Sequence, residues 1–415
     1  MKLNRKIYGF TTALIIAIMM ISSVFSSGEA KVNLPVRLEG TLNGAEYLIR
    51  VPENWGGTLL VFAHGYGQPS SAQAAPGGTA MEDFLLSQGY ALAGSRYQAD
   101  GWAIKEGIID TLSLTNFFGA KVGTPDQVIL WGFSMGSVIA FESAERYSDI
   151  YDGVISACAL GAGTVRTWDS AFTLALAYDV AFGWPEDWGT SDNVRNDLVF
   201  NSDVFPVLFN QVIASSNFGF FEFMRMVSGI PFDGFYSGAN FLFTDMFFLT
   251  EARGELESRA GGPIVENIGH TYTLTESDLA YLAALGVDAG SLLQAMNART
   301  NIVAPKNARN YVKHYAEYTG DIKTPVLTIH TVGDGLVVVN QENAYRSTVE
   351  AAGMESLLVQ VYTDAVGHCD FNPLQLLFSI SAMEFWLASG IAPSSAFFPE
   401  AFGFLNDFEP SPMPF

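Results

Sequence analysis

Two parts of the chain alternate short apolar runs with helix-like segments, and this alternation restricts the fold more than any other feature. The first part, about residues 58–160, includes the runs TLLVFA, ALAGS, QVILW and DGVISACAL. The second part begins near residue 324 and repeats the same rhythm of strand, helix, strand and helix. Strands that alternate with helices form mostly parallel sheets covered on both faces. The sequence therefore predicts an α/β protein.

The chain between these two parts has a different pattern and is predicted to be an insertion. Aromatic, helix-like stretches such as NFGFFEFMRM replace the strand pattern there. We predict a large, mainly helical cap over the functional edge of the sheet. The last segment is rich in Pro and Phe, and we predict irregular chain lying on the body. The predicted units are a core of residues 31–160 and 323–390, a cap of 161–322 and a tail of 391–415.

The N-terminal segment has the layout of a secretory signal peptide. Lys2, Arg5 and Lys6 precede an apolar run, and small residues follow it up to Ala30. A membrane anchor is disfavoured because the run is short for a hydrocarbon core of about 30 Å. Residues 1–30 are therefore expected to be removed, and the mature protein is expected to be secreted, either extracellular or periplasmic. We expect no stable membrane span after cleavage.

The charge balance excludes several kinds of partner. The formal net charge is −22, although only 15% of the residues are charged, so the acidity reflects scarce Lys and Arg. Such a surface repels nucleic acid, anionic lipid and polyanionic substrates. We expect no nucleic-acid partner. The sequence does not indicate an oligomeric state.

The segment GFSMG places Ser134 between two glycines, after a strand and before a helix. This context is required for a nucleophilic serine presented on a sharp turn, because small flanking residues allow the turn to form. A serine also needs a base, a carboxylate that orients the base, and donors for the oxyanion. Ser134 is therefore a candidate nucleophile whose partners should occur elsewhere in the chain.

The other parts of such a site occur in the expected chain order. The turn HGYG ends an earlier strand, and we assign the oxyanion donors to the backbone N–H groups of Tyr66 and Met135. VGDGLV places Asp334 after one strand, and VGHCDF places His368 after the next. We predict that His368 is the general base and that Asp334 orients it.

Other histidines and acids are weaker candidates. His64 precedes the oxyanion turn, where we expect a structural histidine that hydrogen-bonds the loop. The remaining histidines, His270, His314 and His330, suit core or surface roles. Asp364 and Asp370 flank His368 so closely that either would have to fold back on its neighbour to orient it.

Together, HGYG, GFSMG, VGDG and GHC resemble the α/β-hydrolase superfamily, in particular secreted bacterial serine hydrolases and esterases. The resemblance covers most of residues 45–390 outside the cap. It implies the α/β-hydrolase fold, and cleavage of carboxylic esters or amides through an acyl-enzyme, with no metal or organic cofactor. The sequence also contains no zinc-type Cys/His cluster, dinucleotide fingerprint or phosphate loop.

Cys158 and Cys369 are the two cysteines of the chain. Export makes them candidates for a disulfide, and two buried thiols are the alternative. The GHC segment is similar to that of tannases and feruloyl esterases, in which this cysteine bonds to one just before the serine. Phe133 occupies that position here, so the same bridge cannot form.

The substrate is expected to be a small-molecule or polymeric ester. Aromatic cap residues are expected to serve mainly as core, and some of them to line an apolar pocket. Tyr97 and Trp102 are possible substrate-lining residues, with packing under the cap as their alternative role. Two other functions stay open: a secreted serine peptidase of the aminopeptidase or prolyl-peptidase kind, and a non-catalytic binding protein with the same fold.

Overall fold

The computed structural model describes residues 33–67, 69–232 and 240–413, so the predicted signal peptide lies outside the described residues. An 8-stranded sheet forms the centre, in the order β1-β2-β4-β3-β5-β6-β9-β10. Neighbouring strands from β4 to β10 are parallel, whereas β2 is antiparallel to both of its neighbours. The strands of this sheet are Val36–Leu42 (β1), Ala45–Val51 (β2), Thr58–Ala63 (β3), Ala91–Ser95 (β4), Gln127–Phe133 (β5), Gly153–Ala157 (β6), Val326–Gly333 (β9) and Leu358–Val366 (β10).

Helices bury both faces of this sheet, as the sequence predicts. Along β3, Leu59 and Val61 point to one hydrophobic cluster, while Leu60 and Phe62 point to the other, because side chains alternate between the two faces of a strand. The helices that cover the sheet are Thr79–Ser87, Ile104–Lys121, Met135–Arg146, Asn340–Ala351 and Pro373–Ser389. The predicted α/β architecture, a mostly parallel sheet with helices on both faces, is confirmed.

The chain between β6 and β9 is mainly helical. It also holds a small hairpin of Gly189–Thr190 (β7) and Asn193–Val194 (β8). Thr275 caps the N-terminus of one helix of this insertion, since the Thr275 and Asp278 side chains each accept a hydrogen bond from the other's backbone N–H. The α-helices of this insertion are Gly163–Phe182, Phe205–Val212, Phe218–Val227, Asn240–Phe247, Arg253–Ala260, Glu276–Ala284, Ala289–Asn297 and Lys306–His314.

The C-terminal segment packs against the edge of the sheet. Phe398 and Phe404 are buried in the hydrophobic cluster on one face. The backbone N–H of Leu405 donates to the carbonyl of Tyr362 in β10, at 2.9 Å. The segment therefore covers part of an edge strand that would otherwise present unpaired backbone groups.

Within the described residues, no single helix is long and apolar enough to cross a membrane. One sharply bent pair, Phe200–Val212 with Ser215–Val227, reaches the necessary length and composition only when its two helices are taken together.

Candidate active site

Ser134 lies in a strained turn between β5 and the helix that begins at Met135. Its φ is 54° and its ψ is −125°, a backbone conformation that residues with a Cβ atom rarely adopt. The turn requires glycine on both sides. A Cβ on Gly132 would overlap the carbonyl of Gly136, and a Cβ on Gly136 would overlap the carbonyl of Ala63. The close packing of these backbones holds the Ser134 hydroxyl above the end of the sheet.

Alanine at Gly136 should therefore destabilise the fold. The added methyl group would overlap the backbone carbonyl of Ala63, which we expect to lower the free energy of unfolding by about 2–3 kcal/mol. Urea unfolding measures this loss. Gly119 is the matched control, because it lies in the helix Ile104–Lys121 with open space around its Cβ position. Gly119→Ala should stabilise the protein slightly, and an equal loss in both variants would contradict the close packing.

The structure brings Ser134, His368 and Asp334 together. The Ser134 hydroxyl donates to Nε2 of His368 at 2.8 Å, and Nδ1 of His368 donates to Oδ2 of Asp334 at 2.7 Å. Asp334 follows β9, and His368 follows β10, so both reach the carboxyl edge of the sheet where Ser134 lies. This is the geometry required for a base to accept the serine proton while a carboxylate orients the base.

Asp334 is buried, and both of its carboxylate oxygens accept hydrogen bonds. Its Oδ1 accepts hydrogen bonds from the backbone N–H groups of Leu336 and Val337, at 3.0 and 2.8 Å. Burial acts to raise the pKa of Asp334, but the neighbouring imidazoles of His368 and His330 outweigh it and hold that pKa below its usual value. Asp334 is therefore an ionised carboxylate at neutral pH, as its predicted role requires.

The predicted oxyanion turn adjoins Ser134. A Cβ on Gly65 would lie 3.1 Å from the Ser134 Cβ and 3.6 Å from its Oγ, so the backbone before Tyr66 passes directly beside the serine. Met135 is the first residue of the following helix, and N–H groups at a helix N-terminus favour negative charge. The oxyanion roles of Tyr66 and Met135 stay predictions.

His64 has the structural role expected from the sequence. Its Nδ1 donates to the carbonyl of Gly65 at 2.7 Å, and burial lowers its pKa. Of the other histidines, His270 and His314 lie in the insertion, and neither contributes to the cavities beside Ser134 and His368.

Tyr97 does not line a substrate cavity, which corrects one possibility raised by the sequence. Its side chain is only 2% exposed, and its ring stacks on His64 with the centroids 3.9 Å apart. Its hydroxyl donates to the His64 carbonyl at 3.2 Å. Tyr97 therefore packs against the HGYG turn and supports it.

The same correction applies to Trp102, which is 6% exposed. Its ring packs edge-on against Trp168 of the insertion and at a tilt beside Tyr66. Its backbone N–H donates to Glu255 at 3.0 Å. Trp102 therefore joins the core to the insertion, which is the packing role that the sequence left open.

Cys158 and Cys369 form a disulfide. Cys158 directly follows Ala157, the last residue of β6. The backbone N–H of Ser134 donates a hydrogen bond to the carbonyl of Ala157, at 3.1 Å. Cys369 directly follows His368. The bond therefore ties the loop of the histidine to the strand next to the serine, although no cysteine adjoins the serine in sequence.

Among the described residues, two cavities adjoin this group of three. One, of about 540 Å³, contains Ser134 and is lined mainly by apolar core residues, including Met81, Phe84, Phe133 and Phe371. The described lining of this cavity comes from the core, whereas the insertion contributes one aromatic residue, Phe241, to the second cavity.

The other cavity, of about 170 Å³, lies between His368 and the insertion. Its lining includes Asp245, a residue that the sequence analysis did not single out. Asp245 is 8% exposed, and burial together with the charge of Asp334 raises its pKa well above the usual value. No motif marks Asp245, because its position depends on how the insertion folds over the core.

Within the described residues, one His/Cys group has the spacing of metal ligands, namely Cys158, His368 and Cys369. Its two sulfurs are bonded to each other, so this group offers a metal ion only an imidazole nitrogen.

The fold and the site together define the class of protein. The mostly parallel sheet begins with antiparallel strands, the serine turn follows β5, and the residues occur in the order Ser, Asp, His. The chain therefore has the α/β-hydrolase fold.

No family model matches the chain. The chain is similar to the o-phthalyl amidase of Xanthobacter agilis, with 24% identity over 403 residues, covering 85% of this chain and 87% of that protein.

Two solved structures are similar over most of their length. Feruloyl esterase B from Aspergillus oryzae has a TM-score of 0.39 and 13% identity, covering 86% of this chain and 82% of that chain. The proline iminopeptidase of Mycobacterium smegmatis has a TM-score of 0.40 and 14% identity, covering 85% and 98%. Scores in this range do not define a fold, so the assignment rests on the sheet order and the site.

Proposed function

We propose that this chain is a secreted serine hydrolase that cleaves carboxylic esters through an acyl-enzyme. The observation that carries the proposal is the continuous hydrogen-bond chain from the Ser134 hydroxyl through His368 to Asp334. A serine hydroxyl needs this arrangement to become a nucleophile at neutral pH.

The proposed reaction has two steps that use the same groups. Ser134 Oγ attacks the carbonyl carbon while Nε2 of His368 takes the hydroxyl proton, and the N–H groups of Tyr66 and Met135 receive the oxyanion. His368 then gives the proton to the leaving alcohol as the ester bond breaks. Water attacks the acyl-enzyme in the second step and loses a proton to His368. His368 then returns this proton to Ser134 Oγ as the bond between Oγ and the acyl carbon breaks, which releases the carboxylic acid.

The cavity at Ser134 suggests the substrate chemistry. Its volume of about 540 Å³ and its Met81, Phe84, Phe133 and Phe371 lining suit an apolar or aromatic group next to the scissile carbonyl. We therefore propose esters with such a group, either small or as part of a polymer.

Amide hydrolysis is the second candidate, because the relative from Xanthobacter agilis is named an amidase. The same nucleophile, base and oxyanion donors can cleave an ester bond or an amide bond. The two reactions differ in the leaving group that His368 must protonate. The chain would then release an amine instead of an alcohol.

Secretion is part of the proposal. The layout of residues 1–30 and the Cys158–Cys369 disulfide both support it, since disulfides persist in oxidising compartments. Expression of the full chain in a bacterial host, followed by mass measurement of the exported product, tests this. An exported protein that still carries residues 1–30 would contradict the expected removal of this segment.

Matched esters and anilides test the choice of bond. We expect p-nitrophenyl benzoate to be cleaved with a higher kcat/KM than the p-nitroanilide of benzoic acid, and a fluorophosphonate probe to label the wild-type protein covalently. The spectrophotometric rate and the labelled fraction are the measurements. Turnover of the anilide without ester preference would favour the amidase, and absence of labelling and turnover would contradict the serine hydrolase.

A further inference from the structure

A second histidine lies behind the predicted catalytic acid. His330 belongs to β9 and has no exposed surface. Its Nε2 lies 2.8 Å from the carbonyl of Val337 and 3.6 Å from Oδ2 of Asp334. Its Nδ1 lies 3.1 Å from Oε1 of Glu342. The ring is therefore surrounded by oxygen acceptors on both sides.

Glu342 is one of the acceptors around this ring. Its Oε2 accepts hydrogen bonds from the Thr328 hydroxyl and the Gln360 amide, both at 2.6 Å. An ionised Glu342 would also accept a hydrogen bond from Nδ1 of His330. Nε2 of His330 must donate, because a carbonyl is only an acceptor. A doubly protonated ring therefore satisfies both a carboxylate at Glu342 and the carbonyl of Val337.

The electrostatics agree with this reading of the geometry. Burial opposes a charge on His330, but its bonds to Asp334 and Glu342 outweigh burial and raise its pKa to about 10. A ring with this pKa carries its second proton across the neutral range.

We propose that His330 and Glu342 form a buried ion pair that acts as a positioning unit for Asp334 and extends activity to lower pH. The proposal rests on the proposed function, since it concerns the base of the same site. Oδ2 of Asp334 faces two imidazoles, His368 at 2.7 Å and His330 at 3.6 Å. The cation on His330 repels a proton on His368, so it favours the neutral, active form of that base.

Several other ionisable groups surround this unit. Asp334 and Glu342 contact His330 directly, and His368 shares Asp334 with it. From the insertion, Asp245 interacts electrostatically with Asp334. Tyr345 and Tyr362 are the ionisable neighbours on the far side of Glu342. His330 is the cationic group in this set, so its removal changes the balance in one direction.

The pH profile of kcat/KM tests the proposal. In the double variant His330→Gln, Glu342→Gln, we expect the acid limb to move to higher pH by about 0.5–1 unit. The reason is that protonated His368 loses its cationic neighbour.

Thr328→Val is the matched control, since it removes a neutral hydrogen bond from the same carboxylate and leaves the charge in place. Its acid limb should stay at the wild-type pH. A purely structural role for the pair would lower kcat/KM at every pH without moving the limb, and that result would overturn the proposal.

Nitrogen NMR of the wild-type imidazoles gives a readout that needs neither a variant fold nor a substrate. Both ring nitrogens of His330, assigned by the loss of its signal in the double variant, should remain protonated from pH 6 to pH 9. A neutral His330 in this range would overturn the proposal even in an active enzyme. Conversely, a protonated His330 in a protein that cleaves no ester or amide would leave the ion pair standing and contradict the proposed function.

Discussion

Replacing Ser134 with alanine should lower kcat for p-nitrophenyl esters by about 10⁴-fold or more and abolish fluorophosphonate labelling. The hydroxyl that His368 contacts is the proposed nucleophile, and alanine leaves no atom to form the acyl-enzyme. Steady-state rates and intact-protein mass after labelling are the measurements. The fold should persist, because the alanine methyl group fits where the serine Cβ already lies.

Ser137→Ala is the control for this experiment. Ser137 lies in the helix that follows Ser134, and its hydroxyl accepts a hydrogen bond from the backbone N–H of Leu160, so loss of this hydroxyl costs about 1 kcal/mol of stability. Its kcat should stay close to the wild-type value. If Ser134→Ala retained labelling or more than a small fraction of the rate, another nucleophile would have to be sought.

Removing the disulfide by Cys158→Ala and Cys369→Ala should lower the free energy of unfolding by about 3–5 kcal/mol. The two cysteines are 211 residues apart in sequence, so the bond restricts a very long loop in the unfolded chain. It also fixes the residue after His368, and we expect kcat to fall as the loop gains freedom. Urea unfolding at equilibrium and steady-state kinetics measure the two effects.

A reducing agent provides the control. Dithiothreitol should destabilise the wild-type protein toward the level of the double variant and leave the double variant unchanged. If the free energies of unfolding of the double variant and the wild type differed by less than about 1 kcal/mol, the disulfide would place little constraint on the unfolded chain.

The sheet and the three central site residues were predictable because each has a local signal. Parallel strands buried on both faces are continuous apolar runs, and the residues Ser134, Asp334 and His368 each follow one of them. The carboxyl ends of parallel strands meet at one edge, so chain order alone placed the three together. The fold assignment is confirmed, whereas the catalytic roles stay predictions until tested.

Features that depend on long-range packing were not predictable. Tyr97 and Trp102 follow a strand of the core, as substrate-lining residues would, but their rings turn inward against His64 and Trp168. The position of Asp245 beside the site and the proposed ion pair of His330 with Glu342 depend on contacts between segments far apart in sequence. The antiparallel strands β1 and β2 were also not predicted, although Asn43 and Gly44 between them are a typical hairpin turn.

The two cavities beside the site are built by different stretches of chain, and this has an evolutionary consequence. Substitutions near Met81 and Phe84 would reshape only the Ser134 side, while changes around Asp245 would reshape only the side of His368. Selection can then act on the two cavities separately. Related chains should therefore diverge in one cavity at a time.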